Sequence, residues 1–225
     1  IEFRTMLSKL SGKPAEQTNT AQEKKQPAGA QMSLFDFGGD STQTTLPSEE
    51  TIINTSMKCM TDVEHDYMLI DSAEKRADLI KKLSAQKSVC FDTETTGVDV
   101  FTADLVGLSF CFKKGEAYFV TLPEDKAEAT KIVHEFNDLF ENDKIAKIGQ
   151  HIKFDLLMLS MYGITLKGEM FDTMIAHYLL QPELRHGMDY LAEVYLKYRT
   201  IHYEDMVGPR GKNQAHIRTV DINRL

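Results

Sequence analysis

The chain has 225 residues, 42% hydrophobic and 9% aromatic, with Lys+Arg 26 against Asp+Glu 34 for a formal net charge of -8. This length holds one α/β domain with a tail, and the composition suits a soluble globular protein. The acidic balance argues against a broad basic nucleic-acid surface, no apolar run approaches the ~20 residues that span a bilayer, and the N-terminus lacks a basic-then-apolar export signal.

Residues 1–10 are richer in apolar groups and read as the end of a helix from an upstream module, and a start at Ile1 rather than Met reads as a fragment. Residues 11–62 read as a flexible, disordered linker. To about Ser56 they are mainly Gln, Thr, Ser, Lys, Glu, Gly, Pro and Ala, with too little apolar material to offset ordering entropy. One apolar island, 31–37, interrupts it. The domain expected to fold spans 63–225. Residues 67–70 read as a strand, and Ser72 as the cap of a helix running through Leu83. Three strands follow, at 88–92, 105–112 and 117–122, in quick enough succession to predict an antiparallel meander. Ile132, Val133, Phe136, Leu139 and Phe140 form a helical stripe within 125–140, and a short strand is expected at 144–148. Helices are predicted over 150–162, 172–180 and 188–198, with Asp172 and Asp189 near the last two starts, while 202–225 has no strong period. Strands first and helices after predict an α/β fold, a mixed sheet with helices packed on it. Cys59, Cys90 and Cys111 are odd in number and show no zinc-ligand spacing, which suits reduced thiols in a cytoplasm.

Two segments carry candidate chemistry. Asp92 and Glu94 close the strand at 88–92 and lie two apart, so on an extended chain both carboxylates point to one face and reach one metal cluster. Gly97 then lets the chain turn away. In the second segment, Lys147 to Asp155, an acid sits one turn into a helix that follows a short buried strand. A helix dipole favouring first-turn acids accounts for Asp155 by itself, but not for its company with the first segment.

The strings FDTETTG and GQHIKFD, about sixty residues apart, resemble the first two motifs of the DEDD exonucleases, and most closely those of the proofreading domain of bacterial family-A DNA polymerases. LVGLSF at 105–110, FDTM at 171–174, HGMDYLA at 186–192 and GKNQ at 211–214 extend the resemblance over about Tyr67 to Leu225. The resemblance implies a ribonuclease-H-like fold and 3′-to-5′ hydrolysis of single-stranded or mismatched DNA ends. It also implies a two-metal site for Mg²⁺ or Mn²⁺, with Asp92 shared by both ions, Glu94 helping to hold one and Asp155 the other. Thr93, Thr95, Val98, Gln150 and His151 fall at substrate-contact positions, Val98 where an apolar wedge meets the terminal base. His151 stands where the family usually has Asn. The implied setting is a polymerase with a 5′-nuclease module upstream, a polymerase module downstream and a cytoplasmic, nucleoid-associated role.

The family's third motif, YxxxD, has no counterpart. Tyr67 with Asp71 is the single Tyr–Asp pair at that spacing, and it precedes the first motif. With Asp92, Glu94 and Asp155 all intact, truncation before the third motif explains this better than decay, and weak or absent activity is expected of the chain itself. Gln31, Met32, Ser33, Leu34 and Phe35 resemble the short peptide by which bacterial replication proteins dock on the sliding clamp. Alternatives are an RNA-trimming relative and a non-catalytic scaffold that keeps the exonuclease fold as a binding module.

Overall fold

A computed structural model describes residues 57–209, 211 and 213–220. The clamp-like peptide at Gln31 to Phe35 and the upstream helix end at 1–10 lie outside them.

Six strands form one mixed sheet in the order β1-β4-β3-β2-β5-β6. They are β1 (Asp66–Ile70), β2 (Ser88–Thr95), β3 (Leu105–Lys113), β4 (Glu116–Thr121), β5 (Ala146–Gly149) and β6 (Met170–Asp172). The β2–β3–β4 meander is antiparallel, and β1, β5 and β6 join in parallel to β4, β2 and β5. Residues of β2 alternate between exposed or half-buried and buried, so Val89, Phe91 and Thr93 face the core while Cys90, Asp92 and Glu94 share the other face.

Helix α1 (Ala73–Ser84) starts at Ser72, whose hydroxyl accepts from the Lys75 N–H, and buries Leu79 and Leu83. The single helix expected over 125–140 is two: α2 (Lys126–His134) and α3 (Asn137–Phe140). The stripe conceals the break because both pieces send apolar residues into one core, where Phe136 stacks on Phe110 and Phe140 meets Phe91 edge-on. Between them, hydrogen bonds to the third residue back at Glu135 and Phe136 tighten the turn. Helix α4 (Ile152–Ser160) adds Met158 and Leu159 to the same cluster. Helix α5 (Thr173–Leu180) follows β6, which is too short to show alternation in the sequence. The helix expected over 188–198 keeps one regular turn, α6 (Met188–Leu191), then widens into a π-helical turn at Ala192–Leu196 and stops at Lys197 with a left-handed φ of 52°. A last short helix, α7 (Tyr203–Val207), lies in the stretch without sequence period.

Lys147 is a charged residue in the middle of buried β5, only 1% exposed. Its ammonium donates to the carbonyls of Asn142 at 2.5 Å and Lys167 at 2.7 Å, tying two loops beneath the sheet. Burial pushes its pKa below the usual lysine range, with Asp143 opposing. Lys147→Met is expected to destabilise the fold by about 2 kcal/mol, because it removes two part-buried hydrogen bonds to carbonyl acceptors along with one desolvated charge. Chemical denaturation measures this, and an unchanged midpoint would show the carbonyls are satisfied without it.

Candidate functional site

Strand β5 pairs with β2 only over Ser88, Val89 and Cys90, and then ends at Gly149. Among the described residues, the edge of β2 beyond Cys90 has no strand neighbour on the β5 side, and the side chain of Asp155 takes that place. Its Oδ1 accepts from the Thr93 backbone N–H at 2.9 Å and from the Thr93 hydroxyl at 2.6 Å. A carboxylate thus substitutes for a missing ladder partner, and Asp155, 2% exposed, is brought to the residue between Asp92 and Glu94 from 62 positions away.

The start of α4, which carries Asp155, is held by a group the sequence pattern marks only as the start of a later helix. The Asp172 carboxylate accepts from the N–H groups of His151 at 3.1 Å and Ile152 at 2.9 Å, and also from Met174 at 2.8 Å and Ile175 at 3.3 Å. One side chain therefore caps two helices, α4 and α5, at once. His151 itself has φ 61°, ψ 41°. Asn and His tolerate this left-handed conformation better than most residues, so backbone geometry gives a reason for His where Asn is usual.

Glu94 stands opposite Gly107 on β3. A Cβ on Gly107 would meet the Phe119 ring at 2.3 Å, so that ring lies over the glycine on the face that bears Glu94. Phe119 is a second contributor that strand alternation alone does not distinguish from core. The pKa of Glu94 is raised by burial and then by Asp155. Asp92 is pushed up to about 7, first by burial, then by the charges of Asp155 and Glu94. Burial also raises Asp155, against the two Thr93 hydrogen bonds that pull it down. The three acids form one electrostatic unit in which each ionisation opposes the next.

Among the described residues no three His, Cys, Asp or Glu side chains close around a metal position. The donor chemistry nonetheless fits a hard divalent cation: three carboxylates, oxygen donors alone, each with its pKa pushed upward mainly by burial. Of the other candidates, Thr93 is buried and engaged with Asp155, and the Thr95 hydroxyl donates to the Gly97 carbonyl at 2.7 Å. Val98 is 93% exposed in the loop after β2, and His151 is exposed at the head of α4. Gln150 donates to the His186 carbonyl at 2.7 Å and accepts from the Thr173 hydroxyl. Tyr67 lies in β1 and Asp71 just past its end; β2 is separated from that strand by two others, and Asp71 pairs with Lys75. The structure therefore keeps that pair apart from the acids.

A 3′-5′ exonuclease family model matches residues 67–219. DNA polymerase I of Borreliella burgdorferi is 37% identical over 186 residues, which is 80% of this chain and 19% of that protein. DNA polymerase I of Pseudomonas aeruginosa is 38% identical over 160 residues, 67% of this chain and 17% of that protein. The chain thus spans about a fifth of the length of these curated relatives. Among solved structures, the catalytic core of RRP6 from Trypanosoma brucei superimposes with a TM-score of 0.56 at 14% identity, covering 80% of this chain and 46% of that one. At that identity the likeness is one of fold, a ribonuclease-H-like mixed sheet with helices packed on it.

Proposed function

The chain belongs to the 3′-5′ exonuclease family found in bacterial DNA polymerase I, and on that premise we propose that it is a proofreading segment acting on the 3′ end of single-stranded or mismatched DNA. The observation that carries this reading is the junction at Thr93, through which Asp155 joins Asp92 and Glu94 in one acidic site. In this reading Asp92 and Glu94 would hold one divalent cation, Mg²⁺ or Mn²⁺, and Asp155 with Asp92 a second. Such ions, when bound, neutralise phosphate charge and lower the pKa of an attacking water. Thr93 keeps Asp155 Oδ1 occupied and so orients the remaining oxygen. Phe119 covers Gly107, the residue opposite Glu94. Val98, fully out in solvent, offers an apolar surface to the terminal base, while Thr95, Gln150 and His151 line the approach.

No Tyr precedes an Asp by four positions after the second motif, so the 225-residue chain is expected to turn over slowly. On a 3′-mismatched primer with Mg²⁺ it should degrade DNA at least about a hundredfold more slowly than a longer natural protein carrying that motif, a difference of a few kcal/mol in barrier. Asp92→Asn in the longer protein should bring it to the same low level. Equal degradation by the chain and the longer protein would overturn the expectation. A second reading is a scaffold that keeps the fold without binding metal; a Mg²⁺ titration that leaves Asp92→Asn and the unsubstituted chain indistinguishable would support it.

We also propose that the wider setting is a polymerase with neighbouring polymerase and 5′-nuclease modules, and that Gln31, Met32, Ser33, Leu34 and Phe35 dock on a sliding clamp. A few apolar anchors suffice for such docking from an extended segment. Replacing Leu34 and Phe35 with Ala in a peptide covering 29–39 is expected to weaken clamp binding at least tenfold by titration, and unchanged affinity would exclude the site.

A further inference from the structure

Cys90 on β2 and Cys111 on β3 are direct register partners. Opposed residues of an antiparallel pair share a face of the sheet with Cα atoms about 4.5–5.5 Å apart, inside the ~4.4–6.8 Å range that a disulfide spans. Both are free thiols, Cys90 exposed and Cys111 half-buried, the Cys111 Sγ donating to the Lys113 carbonyl at 3.4 Å; burial raises the Cys90 thiol to about 11, so oxidation is slow and needs alkaline pH. We propose that Cys90 and Cys111 form a site of reversible oxidation, closing to a cross-strand disulfide beside the acidic site.

The reaction balances with a small disulfide as oxidant. One cysteine, as thiolate, attacks the reagent's sulfur and releases one small thiol, leaving a mixed disulfide on the protein. The facing cysteine loses its proton, attacks the protein-bound sulfur of that mixed disulfide and releases the second small thiol. Two protein thiols are oxidised and one small disulfide is reduced to two thiols. The geometry also says what kind of bond results. Cβ atoms of cross-strand pairs sit about 4.5–5.5 Å apart, whereas a disulfide holds them near 3.8 Å. Closure therefore draws β2 and β3 together under strain, and strained disulfides are the readily reduced ones. Asp92 lies two residues from Cys90 on the same strand face, and its partner Ser109 lies two from Cys111, so the distortion falls next to the acids. Cys59 is outside the sheet, its sulfur engaged by Thr61 and Asp62.

The test uses the Cys59→Ser chain treated with oxidised glutathione for hours at mildly alkaline pH. Expected are loss of both remaining thiols, a mass two hydrogens below the reduced protein, a monomer on a non-reducing gel, one cross-linked peptide joining positions 90 and 111, and full reversal by a small dithiol. Adding Cys111→Ser should instead trap a stable glutathione adduct on Cys90. Separate adducts on both cysteines, intermolecular dimers or two unreacted thiols would each overturn the proposal.

Discussion

Asp172→Ala is expected to lower the melting temperature of this chain by about 6–12 °C, an effect well beyond that of an ordinary surface carboxylate. The wild-type side chain accepts from four backbone N–H groups at the heads of two helices. Loss of one helix cap costs about 1 kcal/mol, with a range of ~0.5–2. Two caps, together with the junction they hold between α4 and α5, bring the total to about 3 kcal/mol, and a domain of this size loses about 2–4 °C for each. Asp172→Asn keeps an acceptor oxygen and should recover roughly half. The consequence for the site is indirect: Asp155 lies one turn inside α4, so a frayed start loosens its hold on Thr93. Hydrogen exchange at the Thr93 N–H should accelerate in Asp172→Ala along with the drop in melting temperature. A shift below about 2 °C would mean that water satisfies those four groups as well as the carboxylate does.

Without divalent cations, the chain is expected to lose stability as the pH rises from about 4 to about 8. Asp92 has an ordinary pKa of 3.8 and is pushed up to about 7 in the fold, so the folded state binds its proton more tightly than the unfolded state. That contribution is complete below the unfolded value and disappears as the pH passes the folded one. Glu94 and Asp155 shift in the same direction and add to the slope. At ~1.4 kcal/mol per pKa unit the Asp92 limit is about 4 kcal/mol, and water reaching its half-buried carboxylate reduces this to about 2. Melting curves in chelator at several pH values, run on the chain and on Asp92→Asn, check this. The variant should be flatter and more stable near pH 8, and parallel curves would sink the idea. Mg²⁺ should restore more stability at pH 8 than at pH 5, because cations bind the ionised carboxylates.

The two predictions differ in how visible their residues are in the chain. Asp92 and Glu94 are legible from spacing alone, because a strand's period of two puts them on one face whatever the rest of the fold does. Asp172 is legible only as a helix start. Nothing local says that the same carboxylate also caps a helix beginning twenty residues earlier, since that depends on β5 and β6 lying side by side. The break between α2 and α3 was hidden for a related reason. Apolar spacing reports which residues face the core, and both pieces face the same one. The left-handed backbone of His151, φ 61°, is likewise announced by no neighbouring residue.

By itself, the sequence determined the meander of alternating strands, the acids of the first motif on one face, the acid one turn into a helix in the second, and the family to which those strings belong. These follow from short-range rules of period, capping and spacing. Only the tertiary structure decided that β5 stops short and leaves the Thr93 N–H for Asp155, that Phe119 covers Gly107 beside Glu94, and that Cys90 faces Cys111. Each joins residues distant in the chain through strand register and strand length. Those are set by how the whole core packs, and no window of neighbouring residues contains them.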